Sequence, residues 1–267
     1  MGANLVALGA ITLYLTASVQ TASSLRAPAV SASKTPLLLT CAIAALLLHG
    51  SVVYSSAVDG AAIDLGIWNA ASLVGWFVAA FAIVFSLVQT SISLGLVVFP
   101  LAAITVATGA YLGNSPPSTS AMPAILAVHI ALSLVAYSLF AVAALEALFL
   151  AFADKRLRTH QPIIGFLPGI GAMERLLFQL TAIAFALLTV GILIGTLQMH
   201  DMLDQHLSHK IFFSLLAWLV FAALLIGRFK FHWRGPRASK YVLTGFALLA
   251  VGFFGSKIVL ELVLGRT

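Results

Sequence analysis

His129 is the residue whose chemical type and setting first suggest a function. It lies in the apolar run "MPAILAVHIALSLVAYSLF", residues 122–140. A neutral imidazole offers one N–H donor and one lone pair, so it can hydrogen-bond to a neighbouring helix or ligate a metal. Ser133 and Tyr137 follow at i+4 and i+8, which places all three on one face of a helix. The sequence therefore predicts a polar stripe inside an apolar helix.

The elements that position this stripe are membrane-spanning helices. Hydrophobic residues make up 61% of the 267-residue chain and charged residues only 8%, whereas globular domains are about a quarter charged. Apolar runs of about 20 residues are long enough to cross a bilayer. We predict an all-α polytopic membrane protein that forms a single integral membrane domain over 1–267. Its eight spans are 3–21, 35–54, 66–88, 93–113, 123–152, 176–199, 210–228 and 241–263.

Charges in the connecting segments predict the orientation. Arginine and lysine collect after the first, fifth and seventh spans. The segments after the second, fourth and sixth spans together hold Asp59, Asp64, Asp201 and Asp204 and no arginine. The positive-inside rule places the basic segments in the cytoplasm, so both termini are expected on the extracytoplasmic side. The lipid bilayer is then the expected partner of the basic segments, and nucleic acid is not.

This orientation places several ionisable side chains near the outer surface. At a rise of about 1.5 Å per residue, His129 and His49 lie roughly 9 and 8 Å below that surface. His200 lies at the outer end of the sixth span, Lys210 begins the seventh, and Lys257 is near the outer end of the eighth. Intramembrane ionisable groups usually face a cavity or the bundle interior. Two imidazoles at one depth could ligate heme iron or a divalent metal, and His129 and His200 are the candidate metal ligands.

Other classes of site have little support. The single cysteine, Cys41, excludes an intramolecular disulfide, a CxxC redox pair and a zinc finger. The chain has no GxSxG and no HExxH motif, so a hydrolase is not expected and an enzyme is the less favoured class. The polar segment "HDMLDQHLSH" mixes histidine with aspartate and could collect cations, though without a defined geometry.

Several segments together resemble one family. "VHIALSLVAYSLF" resembles the histidine-bearing helix of the cytochrome c assembly superfamily, whose CcsA, ResC and CcmC members handle heme. "ERLLFQLTAIAFALLTVGILIGTLQMHD", "HKIFFSLLAWLVF" and the "WRGPRA" turn are similar to the following part of that fold. "LLLHGSVVY" and "IWNAASLVGW" fit the upstream part, so the resemblance covers nearly the whole chain. The resemblance is to the YpjD/HemX-like branch of that superfamily.

The resemblance implies a multi-pass protein of the bacterial inner membrane with heme near the outer leaflet, and cytochrome c assembly or other membrane proteins as partners. His129 corresponds to the first external histidine of the heme-handling members. Two features of those members are missing. "HDMLDQHLSH" stands where they have a tryptophan-rich segment, and their second external histidine, near the last helix, has no counterpart in "GFFGSKIVLELVLGRT".

A heme site built on this resemblance needs further residues. His49 or His200 is the candidate second axial ligand. Trp68 and Trp76 could pack on the porphyrin. Lys210 and Lys257 could meet its propionates, since an ammonium acts as a point charge toward carboxylates.

The sequence leaves three functions open. The first is heme handling in cytochrome c-type biogenesis or heme-linked regulation. The second is transport of a metal or organic ion, or an accessory subunit of such a transporter. The third is a non-catalytic membrane scaffold that keeps the fold without the heme chemistry, which the missing motifs favour.

Overall fold

A computed structural model describes residues 2–26, 28–59, 62–63, 66–89, 94–113, 123–160, 169–197 and 208–255. These residues form eight α-helices: α1 (Gly2–Arg26), α2 (Pro28–Ala57), α3 (Ile67–Gln89), α4 (Gly95–Leu112), α5 (Ala124–Arg158), α6 (Ile170–Leu197), α7 (Ser208–Phe231) and α8 (Pro236–Ala250). A π-helical turn, Val251–Gly255, continues α8. Between α2 and α3, the two-residue strands β1 (Val58–Asp59) and β2 (Ala62–Ile63) pair antiparallel.

Helices α1 to α7, and α8 together with the π-helical turn, are each long and apolar enough to cross a membrane, so the predicted all-α polytopic fold is confirmed. The side on which the termini lie stays a prediction. Some helices extend beyond the predicted spans. Helix α5 continues to Arg158 rather than ending at 152, and α6 begins at Ile170 rather than 176. Hydropathy marks only the part of a helix that lipid surrounds, whereas backbone hydrogen bonding continues into polar sequence.

The basic end of α5 illustrates this continuation. Lys155, Arg156 and Arg158 occupy its last turn, where positive charge interacts favourably with the helix dipole. Arg158 Nε also lies 2.7 Å from Asp154 Oδ2, one turn earlier, and such pairs support an exposed helix end.

The contacts among the helices divide them into two four-helix units. The predicted single domain over 1–267 therefore stays a prediction. In the first unit, α1 packs on α2 and α4, and α3 packs on α4. Small side chains form a core cluster there: Ala7, Ala10, Val52 and Val106. Small residues let helix backbones approach closely in a membrane, where packing replaces the hydrophobic effect.

The second unit contains α5 to α8, with α5 packed on α6 and α8 and α7 packed on α8. Its centre is aromatic. The buried rings of Phe140 and Phe221 stack with centroids 3.9 Å apart and planes 13° from parallel. Gly245 on α8 leaves space for Phe221, because a Cβ at this position would lie 2.6 Å from the Phe221 Cζ.

Candidate functional site

His129 is oriented by a hydrogen bond between α5 and α6. Its Nδ1 lies 2.9 Å from the backbone carbonyl oxygen of Gly191. A carbonyl oxygen only accepts, so Nδ1 carries the proton and donates it. In the neutral ring the lone pair is then on Nε2. None of the described residues hydrogen-bonds to Nε2, and the part-buried His129 can therefore offer this atom to a ligand.

Two glycines of α6 create the place for the imidazole. Gly191 and Gly195 are four residues apart in "GILIG", the small-xxx-small spacing that permits close helix approach. A Cβ on Gly195 would lie 3.0 Å from the His129 Cε1, while a Cβ on Gly191 would lie 3.5 Å from the Ser133 Oγ. His129 and Ser133 of the predicted stripe thus pack along these glycines. This GxxxG spacing is visible in the sequence, but the prediction of the site from the sequence did not include these glycines.

A cavity of about 100 Å³ lies in the same unit, beside the part of α5 that follows His129. Ser133 and Tyr137 of the predicted stripe line it, together with Lys210 and Ser214 of α7. Ligand pockets for drug-sized molecules are about 300–1,000 Å³, so this cavity has room for a few waters and not for a porphyrin. The structure therefore groups Lys210 with Ser133 and Tyr137 of the stripe.

His49, in the first unit, is completely buried and uses both ring nitrogens. Its Nδ1 lies 3.3 Å from the Tyr14 hydroxyl and its Nε2 lies 3.1 Å from the Ser72 Oγ. The ring has one donor and one lone pair, so these two contacts use its full hydrogen-bonding capacity. An iron bound to His49 would have to displace Tyr14 or Ser72. The observed arrangement joins α1, α2 and α3.

Trp68 and Trp76 both belong to α3 in the first unit. The Trp76 Nε1 donates a hydrogen bond to the Leu46 carbonyl at 2.9 Å, and its indole lies against Gly50 of α2. Trp68 is half-buried in the first turn of α3. Trp76 thus fills the α2–α3 interface beside His49. His129 and Lys210, by contrast, belong to the second unit.

His200 and Lys257 lie outside the described residues, so their predicted roles stay predictions. The same holds for most of "HDMLDQHLSH". In the described part of the chain, no three histidine, cysteine, aspartate or glutamate side chains are grouped closely enough to hold a metal ion. A metal site at His129 and His200 therefore also stays a prediction.

Comparisons with known proteins agree with the helical architecture. The family model described as "Cytochrome C assembly protein" matches residues 37–264. The inner membrane protein YpjD of Escherichia coli K12 is 33% identical over 169 residues, which are 62% of this chain and 64% of that protein. An uncharacterized 28.8 kDa protein of Azospirillum brasilense is 28% identical over 142 residues, 52% of each chain.

A third relative carries a functional name. The cytochrome c biogenesis protein CcsA of Trichodesmium erythraeum is 31% identical over 85 residues, which are 31% of this chain and 24% of that protein. The chain thus spans less than two thirds of the length of these curated relatives. No solved structure matches the chain significantly.

These findings confirm two predictions made from the sequence. Eight membrane-length helices and the similarity to an inner membrane protein confirm a multi-pass location in a bacterial inner membrane. The family match begins within α2 and extends beyond the π-helical turn, so it includes the helices that carry His49 and His129. The chain belongs to the cytochrome c assembly protein family.

Proposed function

We propose that this chain handles heme in cytochrome c assembly and that the Nε2 of His129 is an axial ligand of the iron. Proteins of the c type carry heme covalently attached at a C-x-x-C-H motif, so their assembly requires heme to be delivered. Membership of the cytochrome c assembly protein family supports a role in this assembly process. One observation supports the ligand assignment: the hydrogen bond from the His129 Nδ1 to the Gly191 carbonyl.

That hydrogen bond has the form expected of a ligating histidine. Ligating imidazoles usually donate their other N–H to a carbonyl or carboxylate, which fixes the tautomer and makes the ligating nitrogen more basic. Here the Gly191 carbonyl accepts a hydrogen bond from the Nδ1–H, and Gly195, which has no side chain, leaves space for the ring. His129 therefore fits a residue that would hold heme iron through its Nε2. Heme supplies an iron that binds imidazole and exchanges one electron.

The proposed heme site uses fewer residues than the sequence predicted. The cavity beside Ser133 and Tyr137 is too small for a porphyrin, so heme would contact the surface of the second unit and not enter this cavity. Lys210 is the described candidate for a propionate contact. The heme roles of His49, His200, Trp68, Trp76 and Lys257 stay predictions from the sequence, and the proposal uses none of them.

Heme titration of the purified protein in detergent tests the proposal. We expect the His129→Ala variant to lose about tenfold or more in heme affinity, measured from the Soret band, which corresponds to about 1.4 kcal/mol. The His160→Asn variant is the control. His160 is exposed beyond the end of α5 at φ +55°, a conformation that asparagine tolerates.

The outcome separates the alternatives. Equal heme affinity in the two variants would exclude His129 as a ligand. A folded wild-type protein that binds no heme would favour the scaffold.

A further inference from the structure

A basic cleft lies at the opposite end of α5 from His129. It has a volume of about 420 Å³ and is lined by residues from the end of α5, the α7–α8 turn and the start of α8. These include Arg158, Phe231, His232, Trp233, Arg234 and Arg237. Three guanidinium groups therefore border one concave surface within the second unit.

The turn that carries this cleft is held by a buried carboxylate. Glu174 of α6 accepts a hydrogen bond from the Gly235 backbone N–H at 2.6 Å and another from the Arg234 Nε at 3.0 Å. Gly235 has φ +54° and ψ −128°, a backbone region that is essentially restricted to glycine. The position of the arginines along the turn is thus fixed by contacts inside the unit.

Positive charge remains after these pairings. Asp154 contacts the Arg158 Nε and Glu174 contacts the Arg234 Nε, which leaves the terminal nitrogens of both guanidinium groups outside the ion pairs. Arg237 is exposed and forms no ion pair with any residue in the described ranges. Two carboxylates therefore face three guanidinium groups, and among the described residues the exposed Arg237 has no carboxylate partner.

The cleft also has an apolar side next to three helix ends. The candidate membrane helices α5, α7 and α8 end or begin at Arg158, Phe231 and Pro236. Phe231 is 66% exposed and stacks on Trp233 with centroids 6.3 Å apart. Trp233 in turn contacts Tyr241 at 4.9 Å between centroids. Tryptophan and tyrosine are typical of the membrane–water interface.

We propose that this cleft is a specific binding site for the phosphate of an anionic phospholipid headgroup, with the acyl chains against Phe231. Guanidinium groups bind phosphate oxygens through paired N–H donors. Basic pockets between membrane helices bind anionic headgroups in this way. An exposed aromatic ring next to exposed arginines suits an amphiphile better than a free ion. The assignment does not depend on heme binding.

Native mass spectrometry of the full chain in detergent tests the site, with phosphatidylglycerol and phosphatidylcholine as probes. We expect the wild type to retain phosphatidylglycerol about fivefold more than phosphatidylcholine. The Arg237→Gln variant should lose most of that preference. The Lys240→Gln control removes the same charge from an exposed position nearly one turn further along α8, outside the cleft lining, and should keep it.

Each remaining outcome overturns the proposal. If Arg237→Gln and Lys240→Gln lose the preference for phosphatidylglycerol equally, the lipid is attracted diffusely to a basic surface. Equal retention of both lipids would mean that no headgroup is selected. Thermal stabilisation by inorganic phosphate without retention of phosphatidylglycerol would assign the cleft to a free anion. The Arg158→Gln variant, which removes the cleft arginine of α5, should also lose the preference for phosphatidylglycerol. Circular dichroism confirms that each variant is folded.

Discussion

The Nδ1 of His129 lies 2.9 Å from the carbonyl oxygen of Gly191, and the imidazole rests on Gly195, the residue one turn further along the same helix. Because α6 has no side chain at these two positions, the ring reaches the backbone of its neighbour. The hydrogen bond fixes which nitrogen carries the proton, and Gly195 limits where the ring can lie. The orientation of His129 is therefore a property of α6 as much as of α5.

Substitution of Gly195 should weaken heme binding without removing the ligand. In Gly195→Ala, the new Cβ would lie 3.0 Å from the His129 Cε1, so the ring must shift by a few tenths of an ångström. Moving a side chain off its rotamer costs roughly 0.5–1.5 kcal/mol, which corresponds to about two- to twelvefold in affinity. Heme titration measures the change.

Gly191→Ala is the matched control for that variant. Its Cβ would lie 3.5 Å from the Ser133 Oγ, an ordinary contact distance, on the same helix and one turn away. Heme affinity should stay within about twofold of the wild type, a change below 0.5 kcal/mol. If both alanine variants bind heme like the wild type, the packing of the imidazole on Gly195 does not control ligation.

The contact between Tyr14 and His49 should contribute to stability and not to heme binding. A double-mutant cycle with Tyr14→Phe and His49→Leu isolates the 3.3 Å contact between the hydroxyl and Nδ1. Hydrogen bonds between membrane helices contribute about 0.6 kcal/mol on average and up to about 1.7, so we expect a coupling free energy in that range from unfolding in detergent. Tyr54→Phe, at an exposed position, is the control.

Heme spectra of the same variants add a second test. The Soret band of Tyr14→Phe and His49→Leu should match that of the wild type. Loss of heme from His49→Leu with unchanged stability would instead support His49 as an axial ligand and contradict the role inferred from its hydrogen bonds.

The sequence predicted the helices well because hydropathy responds directly to the membrane. Each of the eight predicted spans coincides with a helix over nearly all of its described residues. The ends were less predictable. The polar sequence from 153 to Arg158 continues α5, and Glu174 lies inside α6 rather than in a connector. Helical hydrogen bonding does not stop where lipid stops, so hydropathy alone cannot give these ends.

The candidate site was predicted in part. The spacing of His129, Ser133 and Tyr137 gave the stripe on α5, because side chains four residues apart share a helix face. The acceptor on Gly191 and the partners of His49 depend on which helices are neighbours. Periodicity within one helix carries no such information, although the GxxxG spacing on α6 marked a face suited to close packing.

The aromatic centre of the second unit gives a stability prediction. In Gly245→Ala, the Cβ would lie 2.6–2.9 Å from three atoms of the Phe221 ring. Phe221 cannot move away freely because it stacks on Phe140 at 3.9 Å. Overpacking of this kind typically costs about 1–3 kcal/mol, and we expect a lower melting temperature in detergent.

Gly171→Ala is the control for overpacking. No atom lies within 4 Å of a Cβ at this position in the first turn of α6. Alanine is a better helix former than glycine by up to about 1 kcal/mol, so this variant should be as stable as the wild type or slightly more stable. Equal melting temperatures for the Gly245→Ala and Gly171→Ala variants would contradict the packing argument.

Glu174 should contribute far more to stability than Asp154, whose part-buried carboxylate pairs with an exposed arginine. The Glu174 side chain is 6% exposed and accepts hydrogen bonds from the Gly235 N–H and the Arg234 Nε. In Glu174→Gln one acceptor is replaced by an amide NH₂ that faces a guanidinium. Leaving buried partners unsatisfied costs about 1–3 kcal/mol, so the unfolding free energy should fall by that amount.

Asp154→Asn is the comparison, because Asp154 pairs with Arg158 one turn away, and that arginine is 69% exposed. Pairs at i,i+4 on a helix surface contribute about 0.3–0.5 kcal/mol. Thermal unfolding of both variants in the same detergent gives the difference. If Glu174→Gln lowers stability no more than Asp154→Asn, the turn before α8 is held by its own backbone and by packing of Trp233, and the buried carboxylate is not what fixes the arginines of the cleft.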